Sequence, residues 1–394
     1  MSVSPEFNVR VLPNDIIGQA AINLAPYSWS DPLDIPSLGI KTTRLDPNNP
    51  DGEDYPDNAG GEVTNTYSLS RSWIWGSKAP FDPVTRCPIW VASPHGFDEF
   101  GGYFNAYITL LSRYNPVSNQ FTVYEAPLQI GASYPHTVGH SFDNCCIVDR
   151  VLYKFTLPLW RQGDGYLQPQ IAKIDLDALT DDVTSGREGA AYLGEIPPPF
   201  IPPDLTAGAL DYLPGANCLV SLHKSRIDFY DLTAGAWITP HVDLGFNVAN
   251  AFHNVGHYQP TAGVFVGGGG AYAGGGVDSP RRNSQWVKVN GTTRVVTPID
   301  SSPVTMSVSE TDVGGEEVKV AATFDPNSTE SIFFQDNGTI YGLDTTRPTG
   351  QHWREIGANT HFADIVCAMP AYGCIGVFKS AADGNATFRL YRAA

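Results

Sequence analysis

Two histidine pairs with the same spacing are the residues best suited to chemistry in this sequence. They are His136-Thr-Val-Gly-His140 and His253-Asn-Val-Gly-His257. On a helix, histidines four residues apart can bind one metal ion, as in zinc proteases. The glycine inside each pair and the flanking turn residues favour a strand or loop instead, where residues four apart lie about 13 Å from each other. The sequence therefore predicts no metal here, and leaves open a polar ligand-binding or channel-lining role and a purely structural one.

A second candidate group, His95, Asp98 and Glu99, stands in a glycine-rich stretch. A histidine with two carboxylates could form half of an acid/base or metal site, but a solvated loop explains the same residues. There is no Gly-x-Ser-x-Gly nucleophile elbow, and the glycine run 267–270 lacks the Lys-Ser/Thr of a phosphate-binding loop. We predict binding residues only, with no catalytic set and no cofactor. Enzymatic activity stays undecided, and the sequence leans against it.

The net charge of the chain limits the classes of partner that it can bind. The formal net charge is -17 over 394 residues, whereas nucleic-acid binding depends on Lys and Arg displacing counterions. The same acidity disfavours anionic membranes, and no stretch approaches the ~20 apolar residues of a membrane span. No secretion signal is visible at the N-terminus. The expected partners are other protein subunits, with a glycan as the alternative, and no direct contact with nucleic acid or membrane.

An internal repeat defines the fold that must position these residues. A short strand ending in a polar residue, most often Asp or Asn, occurs six times, and its last residues lie 60, 56, 59, 54 and 48 positions apart. The six copies end at Asn115, Asp175, Asp231, Asn290, Asp344 and Arg392. This period matches a propeller blade and is too long for a helical repeat. The 39 glycines, 31 prolines and only 16% charged residues agree with many short strands and tight turns.

A second element precedes each copy: a turn, usually beginning near an aromatic residue, and then an apolar run of strand length. The turns are predicted at Phe81-Asp-Pro83, Phe142-Asp-Asn144, Asp211-Tyr-Leu-Pro214, Tyr258-Gln-Pro260, Phe324-Asp-Pro326 and Met369-Pro370. Proline fixes φ and Asp bonds the backbone ahead of it, so such sequences start turns. Together the two elements predict an all-β fold, a six-bladed β-propeller.

The best-preserved copy resembles the kelch-like propellers related to the central domain of galactose oxidase. It runs from Phe81-Asp-Pro83 through Pro94-His-Gly-Phe-Asp-Glu-Phe-Gly-Gly102 to Tyr114-Asn-Pro116. The resemblance covers roughly residues 71–392 and implies the fold, with paired glycines at Gly101-Gly102 and Gly267-Gly268. It does not extend to activity, because the copper ligands of galactose oxidase have no counterparts that can be placed residue by residue here.

The sixth copy ends at Arg392, so its blade lacks an outer strand. We predict that the N-terminal region supplies it from 22–29 or 61–69, because an open ring would expose unpaired strand edges. The predicted division is an extended arm with the ring-closing strand over 1–70 and the propeller over 71–394.

The resulting functional hypothesis is a non-enzymatic structural or assembly protein, for example a tail, collar or head-decoration component of a bacteriophage virion. Its location would be the virion if the protein is viral, and the cytoplasm otherwise. A ring with a negative bore would also suit the passage of DNA. The alternatives are a glycan-binding module or enzyme with its site on one propeller face, and a cytosolic kelch adaptor.

Overall fold

The computed structural model describes six blade sheets, five with four strands and one with five, preceded by an N-terminal segment. The residues described are 14–33, 39–44, 63–68, 78–92, 110–125, 129–130, 134–135, 144–155, 160–161, 165–166, 170–179, 192–197, 208–223, 225–245, 254–270, 285–304, 306, 319–380 and 386–394.

The N-terminal segment contains one short helix and three strands. They are α1 (Ile16–Ala21), β1 (Ser28–Trp29), β2 (Gly39–Arg44) and β3 (Val63–Ser68). Asp15 caps α1 by accepting a hydrogen bond from the backbone N–H of Gly18 at 2.9 Å. β2 and β3 form a separate antiparallel hairpin.

The first three blades follow in chain order, each an antiparallel sheet. Blade 1 contains β4 (Phe81–Asp82), β5 (Cys87–Ala92), β6 (Leu110–Asn115) and β7 (Gln120–Glu125). Blade 2 contains β10 (Cys145–Val148), β11 (Val151–Phe155), β14 (Ile171–Asp175) and β15 (Tyr192–Ile196). Blade 3 contains β16 (Ala209–Leu213), β17 (Cys218–His223), β18 (Arg226–Asp231) and β19 (Ala236–Trp237), with β20 (Val242–Asp243) also paired to β18. Two small hairpins accompany them: β8 (Gln129–Ile130) with β9 (Tyr134–Pro135), and β12 (Trp160–Arg161) with β13 (Gly165–Tyr166).

The last three blades repeat the pattern. Blade 4 contains β21 (Val255–Gln259), β22 (Val264–Gly268), β23 (Trp286–Asn290) and β24 (Val296–Ile299). Blade 5 contains β25 (Val320–Phe324), β26 (Ser331–Gln335), β27 (Thr339–Leu343) and β28 (Trp353–Ala358). Blade 6 contains β29 (Ile365–Met369), β30 (Cys374–Ser380) and β31 (Ala386–Arg392), with a 3₁₀ helix at Pro370–Tyr372. Its outer strand is β1, from the other end of the chain.

The apolar core lies between the blades. Six buried clusters each combine residues of two neighbouring blades, from the pair 1/2 around to the pair 6/1. The inner strands contact one another in ring order from β10 through β16, β21, β25 and β29 to β4. Neighbouring Cys145 and Cys146 point into different clusters, as a strand requires. All six cysteines are buried and free.

The predicted ring closure is confirmed, and β1 lies in the first of the two candidate segments. Ser28 pairs with Arg392 and Trp29 with Tyr391, and the backbone N–H of Leu33 continues the pairing to the carbonyl of Phe388 at 2.8 Å. The second candidate segment, 61–69, contributes β3 to the separate hairpin instead.

The two faces of the ring carry different connections. On the face we call the turn face, the connections are mostly of two to six residues, at 83–86, 116–119, 149–150, 214–217, 232–235, 260–263, 291–295, 325–330 and 370–373. On the opposite face, the loop face, several connections are far longer, at 93–109, 126–144, 156–170, 197–208, 269–285 and 300–319.

The recurrent Asp or Asn closes a turn on the turn face. Asn115, Asp231 and Asn290 each accept hydrogen bonds from the backbone N–H groups two and three residues ahead, at 2.8–3.3 Å. Asp175 and Asp344 each accept one from two residues ahead, at 2.9 Å and 3.0 Å. These side chains bend the backbone between the third and fourth strands, which is why the residue type recurs.

The turn between the first two strands of blade 2 lies at Asp149 and Arg150, whose φ angles are 46° and 70°. It has no proline and uses left-handed backbone in two non-glycine residues. Of the turn predicted at 142–144, residues 142 and 143 lie outside the described residues.

Candidate functional site: the centre of the ring

Of the seven residues predicted to bind a ligand, His257 alone belongs to the described part of the chain. The others, His95, Asp98, Glu99, His136, His140 and His253, lie outside the described residues. The strands that flank them end on the loop face, at β5 and β6, β7 and β10, and β20 and β21.

His257 lies inside the interface between blades 4 and 5. It is 1% exposed, and its ring centroid is 5.9 Å from that of Phe333 in β26. Neither ring nitrogen has a hydrogen-bond partner among the described residues. Burial, and secondarily the positive charge of Lys78, hold the pKa of His257 well below its usual 6.5. The imidazole is therefore neutral and packs as part of the core.

Lys78 links four blades at the centre of the ring. Its backbone lies at the start of blade 1, bridged to Val366 of blade 6. Its ammonium group, on a 7% exposed side chain, reaches Asp211 of blade 3 at 2.8 Å and the carbonyl of Gly256 in blade 4 at 3.1 Å. Asp211 in turn accepts a hydrogen bond from the backbone N–H of Tyr258 at 2.9 Å. Sequence reasoning missed this bridge because its members are more than a hundred residues apart.

The Lys78 bridge bears on the hypothesis that DNA passes through the ring. The inner strands approach one another closely enough for a single lysine side chain to connect blade 1 with blades 3 and 4. These contacts across the ring weigh against a bore wide enough for a duplex at this level, and the passage of DNA stays a hypothesis.

Buried charges also mark the loop-face ends of blades 5 and 6. Lys319 and Asp364, directly before β25 and β29, form an ion pair of 3.1 Å and are 1% and 0% exposed. Lys379, with a side chain 39% exposed, contacts the same Asp364 oxygen at 3.0 Å. Two ammonium groups on one carboxylate keep this inter-blade contact hydrogen-bonded, as buried charges require.

Ser221, His223 and Asp228 form a third polar group, on blade 3. These three residue types are those of a hydrolase triad. Both oxygens of Asp228 are occupied by Arg226, at 2.6 Å and 2.8 Å. Burial and the nearby Arg226 charge lower the pKa of His223 to about 4. Both carboxylate oxygens of Asp228 are thus hydrogen-bonded to the arginine two residues before it.

The N-terminal segment is held to the turn face by its own polar contacts. The fully buried Asp15 accepts a hydrogen bond from the Tyr372 hydroxyl at 2.9 Å, and the Arg86 guanidinium lies 3.7 Å away. Burial, and then the Asp15 charge, raise the pKa of Tyr372. Arg392 donates to the carbonyl of Leu24 at 2.6 Å. Blades 6 and 1 are therefore joined through residues that precede the propeller.

Among the described residues, no group of three or more His, Cys, Asp or Glu side chains is placed to hold a metal ion. The helices described have neither the length nor the apolar character of a membrane span.

The chain is a six-bladed β-propeller. Its six sheets share one strand order, their inner strands contact one another around the ring, and the buried clusters lie between neighbouring sheets. No family model and no curated protein sequence matches it. It is similar to the WD40 domain of Neurospora crassa Pan2, with 11% identity over 80% of this chain and 88% of that one and a TM-score of 0.43. It is also similar to a chain of the mitotic checkpoint complex, with 11% identity over 91% and 100% and a TM-score of 0.42. At these TM-scores the propeller assignment rests on the strand topology alone.

Proposed function

We propose that this chain is a non-enzymatic structural protein that acts through protein-protein contacts within a larger assembly. One observation carries the proposal: the chain holds a segment that belongs to no blade. Residues 14–33 close the ring, and the chain then forms the β2–β3 hairpin before returning to Lys78. A propeller that needed its N-terminus only for closure would have no use for this hairpin.

The particular assembly we propose is a bacteriophage virion, in which the chain would be a tail, collar or head-decoration component. The acidic surface, with its formal net charge of -17, supports contacts with protein instead of packaged nucleic acid. The ring supplies a scaffold, and the β2–β3 hairpin, which belongs to no blade, supplies a candidate contact. If the protein is not viral, we place it in the cytoplasm as an adaptor.

The kelch type is a further proposal, supported by the paired glycines at the end of β22. A Cβ on Gly267 would approach a Leu222 side-chain carbon to 2.7 Å, and one on Gly268 would approach the Gln285 carbonyl to 2.4 Å. The backbone carbonyl excludes a larger residue at Gly268, whereas at Gly267 the Leu222 and Phe265 side chains would have to shift. Two tight glycine positions support the kelch pattern of paired glycines at this place in a blade.

A polar ligand site, most simply for a glycan, is the second candidate function. It is favoured by one topological fact: the strand ends that flank His95, His136, His140 and His253 all lie on the loop face. Binding residues placed on one face of a scaffold can converge on one ligand.

The deciding experiment asks two questions: whether the chain is recovered from purified virus particles, and whether the purified protein binds a glycan. Under the structural proposal, mass spectrometry of purified virus particles recovers the chain in stoichiometric amounts. His136→Gln, His140→Gln and His253→Gln variants should assemble normally, because Gln keeps hydrogen-bonding capacity. A glycan-array signal on the wild type that any of these variants loses would instead establish the ligand site. Absence from particles together with a blank array would leave the cytosolic adaptor.

A further inference from the structure

The sequence Asn-Gly-Thr occurs twice in the described blades, at 290–292 and at 337–339. Asparagine is a chemically labile residue, and its side-chain amide can be attacked by the backbone nitrogen of the next residue. A following glycine favours this attack because it has no Cβ to restrict the backbone. Since the two tripeptides are identical, a difference in their reactivity must come largely from the structure around them.

Asn290 is held in place through both its backbone and its side chain. Its N–H donates to the carbonyl of Val295 at 2.9 Å, and its own carbonyl accepts from the N–H of Arg294 at 2.9 Å. The carboxamide oxygen accepts from the N–H groups of Thr292 at 3.0 Å and Thr293 at 2.8 Å. A rotation of this side chain toward the next backbone nitrogen would break both of the last two bonds.

The nitrogen that would attack Asn290 is also restrained. Gly291 is buried, and its N–H donates to the carbonyl of Gly263 at 2.8 Å. A Cβ on Gly291 would lie 2.8 Å from that carbonyl oxygen and 2.8 Å from a ring carbon of Tyr258. The backbone therefore has little room to bring this nitrogen and the Asn290 side chain together.

Asn337 is held by fewer contacts. It is exposed in the turn that joins β26 to β27 on the loop face. Within the described part of the chain, its own backbone N–H and carbonyl make no hydrogen bond. Its carboxamide oxygen accepts one bond, from the N–H of Thr339 at 2.9 Å, and its nitrogen reaches the Tyr341 hydroxyl only at 3.5 Å.

Gly338 has the space that Gly291 lacks. Its φ angle is 88°, and a Cβ built on it would meet no described atom within 4 Å. Its N–H donates to the carbonyl of Gln335 at 3.1 Å, which is longer than the corresponding bond of Gly291. A local opening of this exposed turn is enough to free the nitrogen, without disturbing a packed neighbour.

We infer that Asn337 is a site of spontaneous modification, at which the side chain is deamidated through a succinimide. The Gly338 nitrogen bonds to Cγ of Asn337, the Cγ–Nδ2 bond breaks, and ammonia leaves with the proton that the Gly338 nitrogen lost. Water then opens the five-membered ring at either carbonyl, which gives aspartate or isoaspartate. No redox step is involved, and the inference does not depend on the proposed function.

The modification changes the loop face of blade 5. Either product adds a negative charge at 337, and isoaspartate also inserts one methylene into the main chain directly before Gly338. The carbonyl of Gly338 accepts from the N–H of Asn359 at 2.8 Å, next to the end of β28. The change therefore acts on the loop-face end of β27 and β28, and the buried clusters between the blades lie outside it.

Peptide mapping by mass spectrometry tests the inference on the full chain. The folded protein is incubated in warm, mildly alkaline buffer below its thermal transition, and conversion at 337 and at 290 is followed by the mass gained when an amino group is replaced by a hydroxyl. We expect conversion at 337 to run well ahead of conversion at 290. The same incubation in urea should bring the two rates together, because the tripeptides are identical.

Serine variants provide the matched controls. Asn337→Ser should remove the signal of the 337 peptide, whereas Asn290→Ser should leave conversion at 337 as in the wild type. Equal rates in the folded protein, or a faster rate at 290, would overturn the inference. So would a folded chain that keeps Asn337 intact while the chain in urea is converted, or a difference between the two sites that persists unchanged in urea.

Discussion

The strand turns and the blade interfaces are held together by contacts of different range. In a turn, one residue such as Asp231 or Asn290 bonds the backbone two and three positions ahead. Between blades, side chains find partners far away in the sequence, as Lys319 does with Asp364 and Lys78 with Asp211. The turns depend on local sequence, whereas the inter-blade contacts depend on the completed ring.

This difference implies that damage to the two regions has unequal consequences. A local turn can be lost while its blade survives, because water satisfies the freed N–H groups. A long-range contact between blades cannot be replaced by water once it is buried. The effects of substitution should therefore decrease from the seam of blade 6, through the buried charges, to the turns.

The largest expected effect is loss of folding on removal of residues 1–33. The deletion removes β1 and α1, which exposes the edge of β31 and opens the buried cluster between blades 6 and 1. We expect aggregation and no cooperative thermal transition. The control replaces 39–68 by a short Gly-Ser linker and should unfold like the wild type. A soluble, cooperatively folded 34–394 fragment would show that the ring does not need its closing segment.

The next largest effect concerns the buried ion pair at the centre. Lys78→Met keeps the length of the side chain but leaves the largely buried Asp211 without its cation. Breaking a buried pair in this way typically costs about 3–5 kcal/mol. Lys379→Met is the control, because Asp364 keeps Lys319 and the Lys379 side chain is 39% exposed, so we expect about 0–1 kcal/mol. Urea unfolding measures both, and equal losses would contradict the distinction between centre and periphery.

The same division explains what the sequence could predict. The period of Asn115, Asp175 and Asp231 was visible because turn closure is local, and the six blades follow from it. The sequence predicts a ring-closing strand because blade 6 lacks its outer strand, but it does not distinguish the candidate segments 22–29 and 61–69. The pairing of Ser28 with Arg392 shows that the first segment forms this strand. Nothing near Lys78 in the sequence indicates Asp211 or Gly256, since only the closed ring brings them together. The burial of His257 between blades 4 and 5 could not be predicted from the sequence, because it depends on the ring.

The third effect is a pH dependence from the buried histidines. Burial holds the pKa of His257 well below 6.5 and lowers that of His223 to about 4. As pH falls below about 6.5, the unfolded chain binds protons that the folded chain does not, so the free energy of unfolding decreases. Each histidine contributes a slope of up to about 1.4 kcal/mol per pH unit until its folded pKa is reached. Unfolding at pH 7.5, 6 and 5 should show the decline.

His257→Phe should make that decline shallower, because the titrating group between blades 4 and 5 is removed. His241→Phe, the same substitution at an exposed position, is the matched control. If both variants keep the wild-type slope, His257 is not the buried neutral group that its surroundings indicate.

The smallest expected effect belongs to single turns. Asp231 accepts two backbone hydrogen bonds on the turn face, from Thr233 at 2.8 Å and Ala234 at 2.9 Å. Asp231→Ala removes the carboxylate oxygen that accepts both bonds, and we expect a loss of about 1–2 kcal/mol by analogy with helix caps. Among the described residues, Asp243, at the end of β20, accepts one such bond, from Gly245 at 2.9 Å. Asp243→Ala should therefore cost about half as much, or less.

Comparing Asp231→Ala with Asp243→Ala separates the contribution of the turn's hydrogen bonds to stability from the contribution of the side chain's charge. Both variants remove one negative charge from an acidic protein, so relief of general repulsion contributes equally to each. Any difference in the free energy of unfolding then reports the hydrogen bonds. Asp231→Asn keeps an oxygen acceptor without the charge and should restore most of the lost stability, as the natural Asn115 and Asn290 do in their own turns. A failure of Asp231→Asn to recover stability would mean that charge, and not turn closure, is why this residue recurs from blade to blade.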